Sequence, residues 1–262
     1  MQWFLALSDG GATFSHYVEM AKVAIYTAQK FTSLQPHLLY DGSENEFTGW
    51  LRKRGVPVIE CRSTLYAQLA GLDVCKRDPT IAATARGIFL RVELPDLAER
   101  LALDERVLYT DCDVIFRRDV AKDLSQIDCE YFAVAGECTP DDYDNMNNGV
   151  MWMNLPALAK RNREFKDYIR LNLVRLQEGH WEQVAYREFF RRGGVRLWNE
   201  LSPALNWKPY WGDNPDAGII HFHGPKPFQR SYISTIPQLQ HLSGGAYLAL
   251  CQLWDHFYAE VN

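Results

Sequence analysis

Two aspartates one residue apart, Asp111 and Asp113, interrupt an otherwise apolar, β-favouring run, Arg106-Val107-Leu108-Tyr109-Thr110-Asp111-Cys112-Asp113-Val114-Ile115-Phe116. Such a run reads as a buried strand that opens at its carboxyl end. In extended chain, residues i and i+2 point to the same face, roughly 6–7 Å apart at Cα. Both carboxylates can therefore aim at one divalent cation, and hard oxygen ligands suit Mg²⁺ or Mn²⁺. An Asp-x-Asp also caps or turns strand ends. The apolar flanks favour a cation, because carboxylates there are costly unless something binds them.

Other residue types along the chain can meet an anion. Arg86 and Arg91 fall in the helix-compatible stretch 80–100, where an arginine snorkels, forms a salt bridge or clamps a phosphate. Asn147-Asn148-Gly149 opens a strand, and Glu182-Gln183 stands near the start of a helix. His221 and His223 precede Gly224 and Lys226; the glycine lets a backbone N–H approach a phosphate closely, and the lysine can place an ammonium against it. Singly, each also reads as a surface charge, a turn amide or a core histidine.

Bringing these residues together takes a sheet. Residues 2–7 read as a first strand, followed by the polar turn Ser8-Asp9-Gly10-Gly11. From 15 or 16 to 31 the apolar residues recur at helical spacing (Val18, Ala21, Ile25, Ala28), with Ser15 as cap. Stretches 37–40 and 56–60 read as strands around a short helix at 44–54, a βαβαβ order that predicts a mainly parallel sheet. Ligands of such sheets gather outside the carboxyl ends of the strands, so Ser8-Asp9 and Asp111/Asp113 are expected at one rim. A strand at 131–135, an acidic loop (Asp141, Asp142, Asp144), a strand at 147–155 and helices at 156–177 and 179–190 follow. Trp181, Trp198, Trp207, Tyr210 and Trp211 divide between core and sugar-stacking roles. A last helix, about 245–261, has Tyr247, Leu250, Trp254, Phe257 and Val261 on one side. Its polar face carries Asp255 and Glu260 rather than the lysines and arginines of membrane-lying helices, so it is expected to pack on the body.

With 262 residues, 47% of them hydrophobic, the chain can bury the core of one large α/β domain with a modest appendage. A net charge of −5 without a long basic run argues against nucleic acid and against a polybasic membrane anchor. Six cysteines without a Cys-x-x-Cys pair fit reduced thiols in a cytoplasmic protein. Neither an export signal nor a membrane-spanning run of about 18 apolar residues is expected.

Taken in order, these pieces resemble the retaining glycosyltransferases of family 8, which include glycogenin and bacterial galactosyl- and glucosyltransferases of lipopolysaccharide synthesis. Arg91-Val92-Glu93-Leu94-Pro95 followed by 107–114 resembles that family's arginine helix leading into its metal-binding strand. Asn147-Asn148-Gly149-Val150 through Leu155 resembles the Asn-x-Gly-Val strand that faces the donor sugar. Glu182-Gln183 is similar to an Asp-Gln pair, and 221–227 to a terminal His-x-x-Gly-x-x-Lys-Pro segment. The similarity spans roughly residues 2–228.

It implies a GT-A fold: Rossmann-like α/β, a mainly parallel mixed sheet flanked by helices. Residues 1–228 would form the GT-A domain, with a nucleotide-binding half at about 1–116 and a donor-sugar and acceptor half at about 117–228. Residues 229–262 would form a C-terminal helical appendage. It further implies that Asp111, Asp113 and His221 hold Mn²⁺, with Mg²⁺ as the alternative and His223 as the rival ligand should the register differ. Ser8, Asp9, Arg91, Cys112, Asn147, Gly149, Gly224 and Lys226 would contact a UDP-sugar, and Glu182, Gln183 and Lys226 would serve catalysis. The implied activity moves a hexose, glucose or galactose, to a glycan, lipid-linked saccharide or other glycolipid acceptor. Front-face substitution is the favoured course, and Glu182 as covalent nucleophile the competing one.

Three departures stand out. Glu182 replaces the usual aspartate, one residue is missing between Gly224 and Lys226, and the first strand ends Ser8-Asp9 without Asn-Tyr. Two other classes compete: a haloacid-dehalogenase-like phosphatase, whose later acidic motif 212–216 partly imitates, and a catalytically silent nucleotide-sugar-binding module.

Overall fold

The apolar run at the amino terminus forms a central strand of the main sheet in the computed structural model, which describes residues 1–237 and 246–261. Strand β1 (Gln2–Ser8) runs parallel to β2 (Gln35–Asp41) on one side, with β3 (Val58–Glu60) parallel beyond it, and to β4 (Arg106–Thr110) on the other. Immediately after the aspartates the chain leaves this sheet as β5 (Val114–Phe116). Strand β6 (Phe132–Gly136) pairs antiparallel with β7 (Met146–Asn154), which is antiparallel to β4 as well. A short hairpin of β8 (Arg191–Arg192) and β9 (Val195–Arg196) precedes β10 (Asn199–Glu200), and β11 (Ile219–His221) pairs antiparallel with β5. The seven-stranded order is β10-β6-β7-β4-β1-β2-β3. Helices cover both faces, so β6 and β7 are buried on both sides and read as nearly unbroken apolar runs.

The expected elements recur with four physical corrections. The first helix is Phe14–Phe31; Ser15 lies inside its first turn, and Thr13 precedes it without capping it through its side chain. Asn45 does cap the helix Glu46–Lys53, accepting from Phe47 and Thr48 N–H. The stretch 80–100 is not one helix. Asp78 caps Pro79–Phe89, residues Leu90–Glu93 tighten into a 3₁₀ turn, and Leu94–Arg100 restarts with Pro95 in its first turn, where a missing N–H costs nothing. Arg91 therefore projects from a buried 3₁₀ turn. Asn154, the last residue of β7, caps the helix Leu155–Leu176, which places Leu155 in the helix and not in the strand.

The helix Ala246–Val261 buries Tyr247, Leu250, Trp254, Phe257 and Val261, and packs with Met20, Val23, Ile220 and Phe222. Its expected start at Gly245 lies outside the described residues. Among the described residues no helix is long and apolar enough to cross a membrane.

Candidate functional site

Asp111 and Asp113 occupy the gap between β4 and β5, where the chain passes from one sheet to the other. The antiparallel pair β5/β11 sets His221 opposite Val114 and so brings it beside both carboxylates. His221 Nε2 lies 3.4 Å from Asp113 Oδ1 and 3.8 Å from Asp111 Oδ2. One ligand atom from each residue can be chosen so that all three lie within 4.8 Å of one another. Gly149 makes room for this. A Cβ there would come within 2.2 Å of His221 Cε1 and 2.9 Å of Asp111 Oδ2, so only glycine lets β7 pass so close.

A backbone N–H, which can only donate, fixes the polarity of the surrounding amides. Gly149 N–H donates to Asn147 Oδ1 at 3.2 Å, so the other group reaching that oxygen is a donor, Asn206 Nδ2 at 3.0 Å. Asn206 Oδ1 is left to accept Nδ1–H of His221 at 2.9 Å, and the imidazole therefore presents a bare Nε2 to the aspartates. Burial lowers the pKa of His221 and keeps it neutral. Asp113 Oδ1, buried and without a hydrogen bond, is a second open lone pair at the same spot. Two carboxylates and one neutral imidazole with open lone pairs fit a divalent cation.

Cations already flank the carboxylates. Arg91 is buried over the Tyr109 ring, with Nη2 2.5 Å from Asp111 Oδ1 and Nη1 donating to Asn148 O. Lys226 Nζ pairs with Asp113 Oδ2 and donates to Phe222 O at 2.8 Å. Burial raises the pKa of Asp113, but the Lys226 ammonium outweighs it and holds the carboxyl well below its usual range. Burial pushes the Cys112 thiol up, leaving it a neutral wall of the same pocket.

That pocket, about 160 Å³, is lined by Asp111, Asp113 and Lys226 together with Ser8, Phe14 and Thr84. The expected rim between β1 and β4 is thus present, and Ser8 lines it. Asp9 does not; its carboxylate accepts the N–H of Ser43 and holds the turn after β2. Gly224 adopts φ +87° in the segment that carries Lys226.

Gln183 is brought to the site but with its amide fully engaged. Its Oε1 accepts from Asn147 Nδ2 and from Asn148 N–H, and its Nε2 donates to Glu137 Oε1 at 2.8 Å. Glu182 lies deeper, 3.4 Å from Arg91 and accepting from Asn148 Nδ2. Burial pushes its pKa up to about 7 against the pull of Arg91. His223 is not in the cluster: it bonds Tyr210 and lies 3.6 Å from Glu137.

Sequence reasoning missed Glu137, Asn206 and Tyr17. Glu137 is held by Gln183 and Arg187, Asn206 orients the histidine, and Tyr17 lines the pocket from the first helix. Asn206, between Leu205 and Trp207 in the chain, is fully buried, and a buried amide needs a partner, here a histidine far along the chain. Trp181 takes φ +44°, a conformation unusual for a bulky residue, one position before Glu182.

No protein-family model and no curated protein matches the chain. Solved structures do. The galactosyltransferase LgtC, in complex with donor and acceptor sugar analogues, superposes with a TM-score of 0.63 at 16% identity, over 94% of this chain and 96% of that one. The glycosyltransferase GlyE of Streptococcus pneumoniae gives 0.61 at 17% identity over 99% of this chain, which spans 62% of the length of GlyE. Mouse xyloside xylosyltransferase 1 gives 0.54 at 13% identity, over 84% of this chain and 96% of that one. The mixed, mainly parallel sheet and these superpositions give the chain the GT-A fold.

Proposed function

We propose that the chain is a metal-dependent glycosyltransferase that takes a sugar from a nucleoside diphosphate donor and passes it to a saccharide or glycolipid acceptor. The observation that carries this is the cluster of Asp111, Asp113 and His221, with open lone pairs, whose two aspartates line a pocket on a GT-A sheet. A phosphatase of the haloacid-dehalogenase kind is not favoured: several βα units precede the aspartate pair, and 212–216 offers Asn214 O to Arg117 rather than a carboxylate to the site.

Asp111, Asp113 and His221 would hold the cation, and an imidazole ligand favours Mn²⁺ over Mg²⁺. Bound there, it supplies Lewis-acid stabilisation of the charge that grows on the leaving diphosphate. Lys226 lines the pocket next to the metal ligands and can meet the same charge; removing a donor of this kind costs about 3–4 kcal/mol of barrier. Arg91 acts through Asp111, fixing its oxygen rather than reaching ligand. Ser8 and Cys112 contact the nucleotide, with uridine our assignment for the base, and Asn147 and Gly149 face the sugar, a glucose or galactose. Residues 1–116 carry the nucleotide on this reading and 117–228 the sugar and acceptor, with 229–262 appended.

Front-face substitution, with retention and with the departing phosphate oxygen taking the acceptor proton, is the course we favour. Its support is that Gln183 has no lone pair directed at ligand and Glu182 is buried behind Asn148. A cytoplasmic setting suits the unpaired thiols.

Calorimetry with nucleoside diphosphates and their sugars, with and without Mn²⁺, on the wild type and Asp113→Asn, tests the reading. Uridine diphosphate should bind only with metal, and the substitution should weaken it at least 100-fold. A protein that binds no nucleotide under any condition is not this enzyme.

A further inference from the structure

Asp111 and Asp113 are both paired with cations, but the two cations are held very differently. Arg91 is buried, and its guanidinium is fixed by Asp111, Asn148 O and Ile88 O. Lys226 is anchored through its backbone: its N–H bonds Gln229 Oε1 at 3.0 Å, and its carbonyl accepts from Tyr247 of the last helix at 2.8 Å. Its side chain lines the pocket, and its Nζ meets Asp113 Oδ2 and the carbonyl of Phe222. That ammonium can turn from Asp113 into the pocket without moving the chain that carries it.

We propose that Lys226 is a tethered counter-ion that holds Asp113 while the site lacks metal and transfers to the donor's diphosphate when metal and donor arrive together. The inference rests on the donor site proposed above. Its basis is charge. Asp111 faces the fixed Arg91 and Asp113 faces Lys226, so each carboxylate of the metal-free cluster has its own cation in a largely buried setting.

A dication arriving alone on the open Asp113 Oδ1 would share one carboxylate with the ammonium on Oδ2, and neither cation is shielded by bulk water. Metal alone therefore binds weakly. A diphosphate supplies the anion that both cations need, and metal and diphosphate then strengthen each other by the same factor. A permanent phosphate clamp predicts the opposite for metal alone, which would be indifferent to Lys226.

Titration of Mn²⁺ alone by calorimetry into the wild type and Lys226→Gln separates the two. The variant should bind Mn²⁺ about tenfold more tightly while losing about tenfold in the tightening that uridine diphosphate confers on the metal. Equal Mn²⁺ affinity in the two proteins overturns the proposal and leaves the donor site standing. Absence of Mn²⁺ binding to the wild type, with or without nucleotide, removes both.

Because an unpaired Asp113 can cost the variant its fold, the wild type provides a second measurement. Acetylation of Lys226, followed by mass spectrometry, should be slow without metal, several-fold faster with Mn²⁺ alone, and suppressed again once uridine diphosphate is added. A rate unmoved by Mn²⁺ overturns the proposal.

Discussion

The Asp111–Asp113–His221 cluster and the Asn147–Gln183–Glu137 network share one rim of the sheet and, Asp111 apart, are buried, yet they treat their lone pairs in opposite ways. The first leaves Asp113 Oδ1 without a hydrogen bond and turns a bare imidazole nitrogen inward. In the second, Gln183 uses its carbonyl twice and its amine once, and Glu137 accepts from Gln183 and Arg187. Unmet polar atoms cost free energy in a buried place and persist where a ligand completes them. Saturated ones hold position. The first set should therefore respond to metal and donor, and the second to stability and pH.

The most damaging change short of removing a ligand is Gly149→Ala. The new methyl must displace His221 or Asp111, and at least a 100-fold loss of Mn²⁺ affinity is expected with a loss of about 1–3 kcal/mol of stability for overpacking. Titration of the metal into folded variant measures it; unchanged affinity would break the link between the close approach of β7 and the open cluster. Asn206→Ala comes next. It removes the acceptor that fixes the histidine tautomer, and 10–100-fold weaker metal binding is the usual cost of such a loss. Metal affinity within twofold of wild type would move Asn206 into the set that only positions.

Much of this was legible in the sequence, and for one reason. The strands and most helices are announced by local periodicity, and Asp111 and Asp113 by carboxylates inside an apolar run. The break at 90–93 was signalled by Pro95, but only the tertiary structure reveals that it buries Arg91. Glu137 and Asn206 were hidden because their partners are far along the chain, Gln183 and His221, and no spacing rule joins them. The motif-by-motif resemblance placed Asp9 among the ligand contacts; its carboxylate accepts the N–H of Ser43, a matter of turn geometry.

Glu137 sharpens the comparison on the saturated side. Burial would raise its pKa, but the nearby His223 and hydrogen bonds from Gln183 and Arg187 prevail and hold it at about 2, below the usual 4.5. A depressed folded pKa gives stability that is present above pH 4.5 and is lost as pH falls from there towards 2. The amount is about 3 kcal/mol. Urea unfolding of Glu137→Gln between pH 3 and 7 should show a flatter dependence than wild type and a lower plateau near neutrality. Parallel curves would mean that the carboxylate is not a structural charge.

Glu182→Gln should change turnover least, and the sign of its effect on stability is reversed. Burial raises the Glu182 pKa to about 7 and the charge of Asp111 adds to this, while Arg91 opposes both. A carboxyl whose folded pKa exceeds its unfolded value leaves the folded protein binding more protons between about pH 4.5 and 7, so stability falls as pH rises through that window. Glutamine keeps the shape of the protonated acid and, through its carbonyl, an acceptor for Asn148 Nδ2. The variant should therefore be more stable than wild type at pH 8, by about 2–3 kcal/mol, and no different at pH 4. Turnover within about fivefold of wild type would fit an active site in which neither Glu182 nor the engaged amide of Gln183 attacks the sugar. A loss of 10³ or more in kcat with the fold intact would make Glu182 a nucleophile and place it with the open cluster.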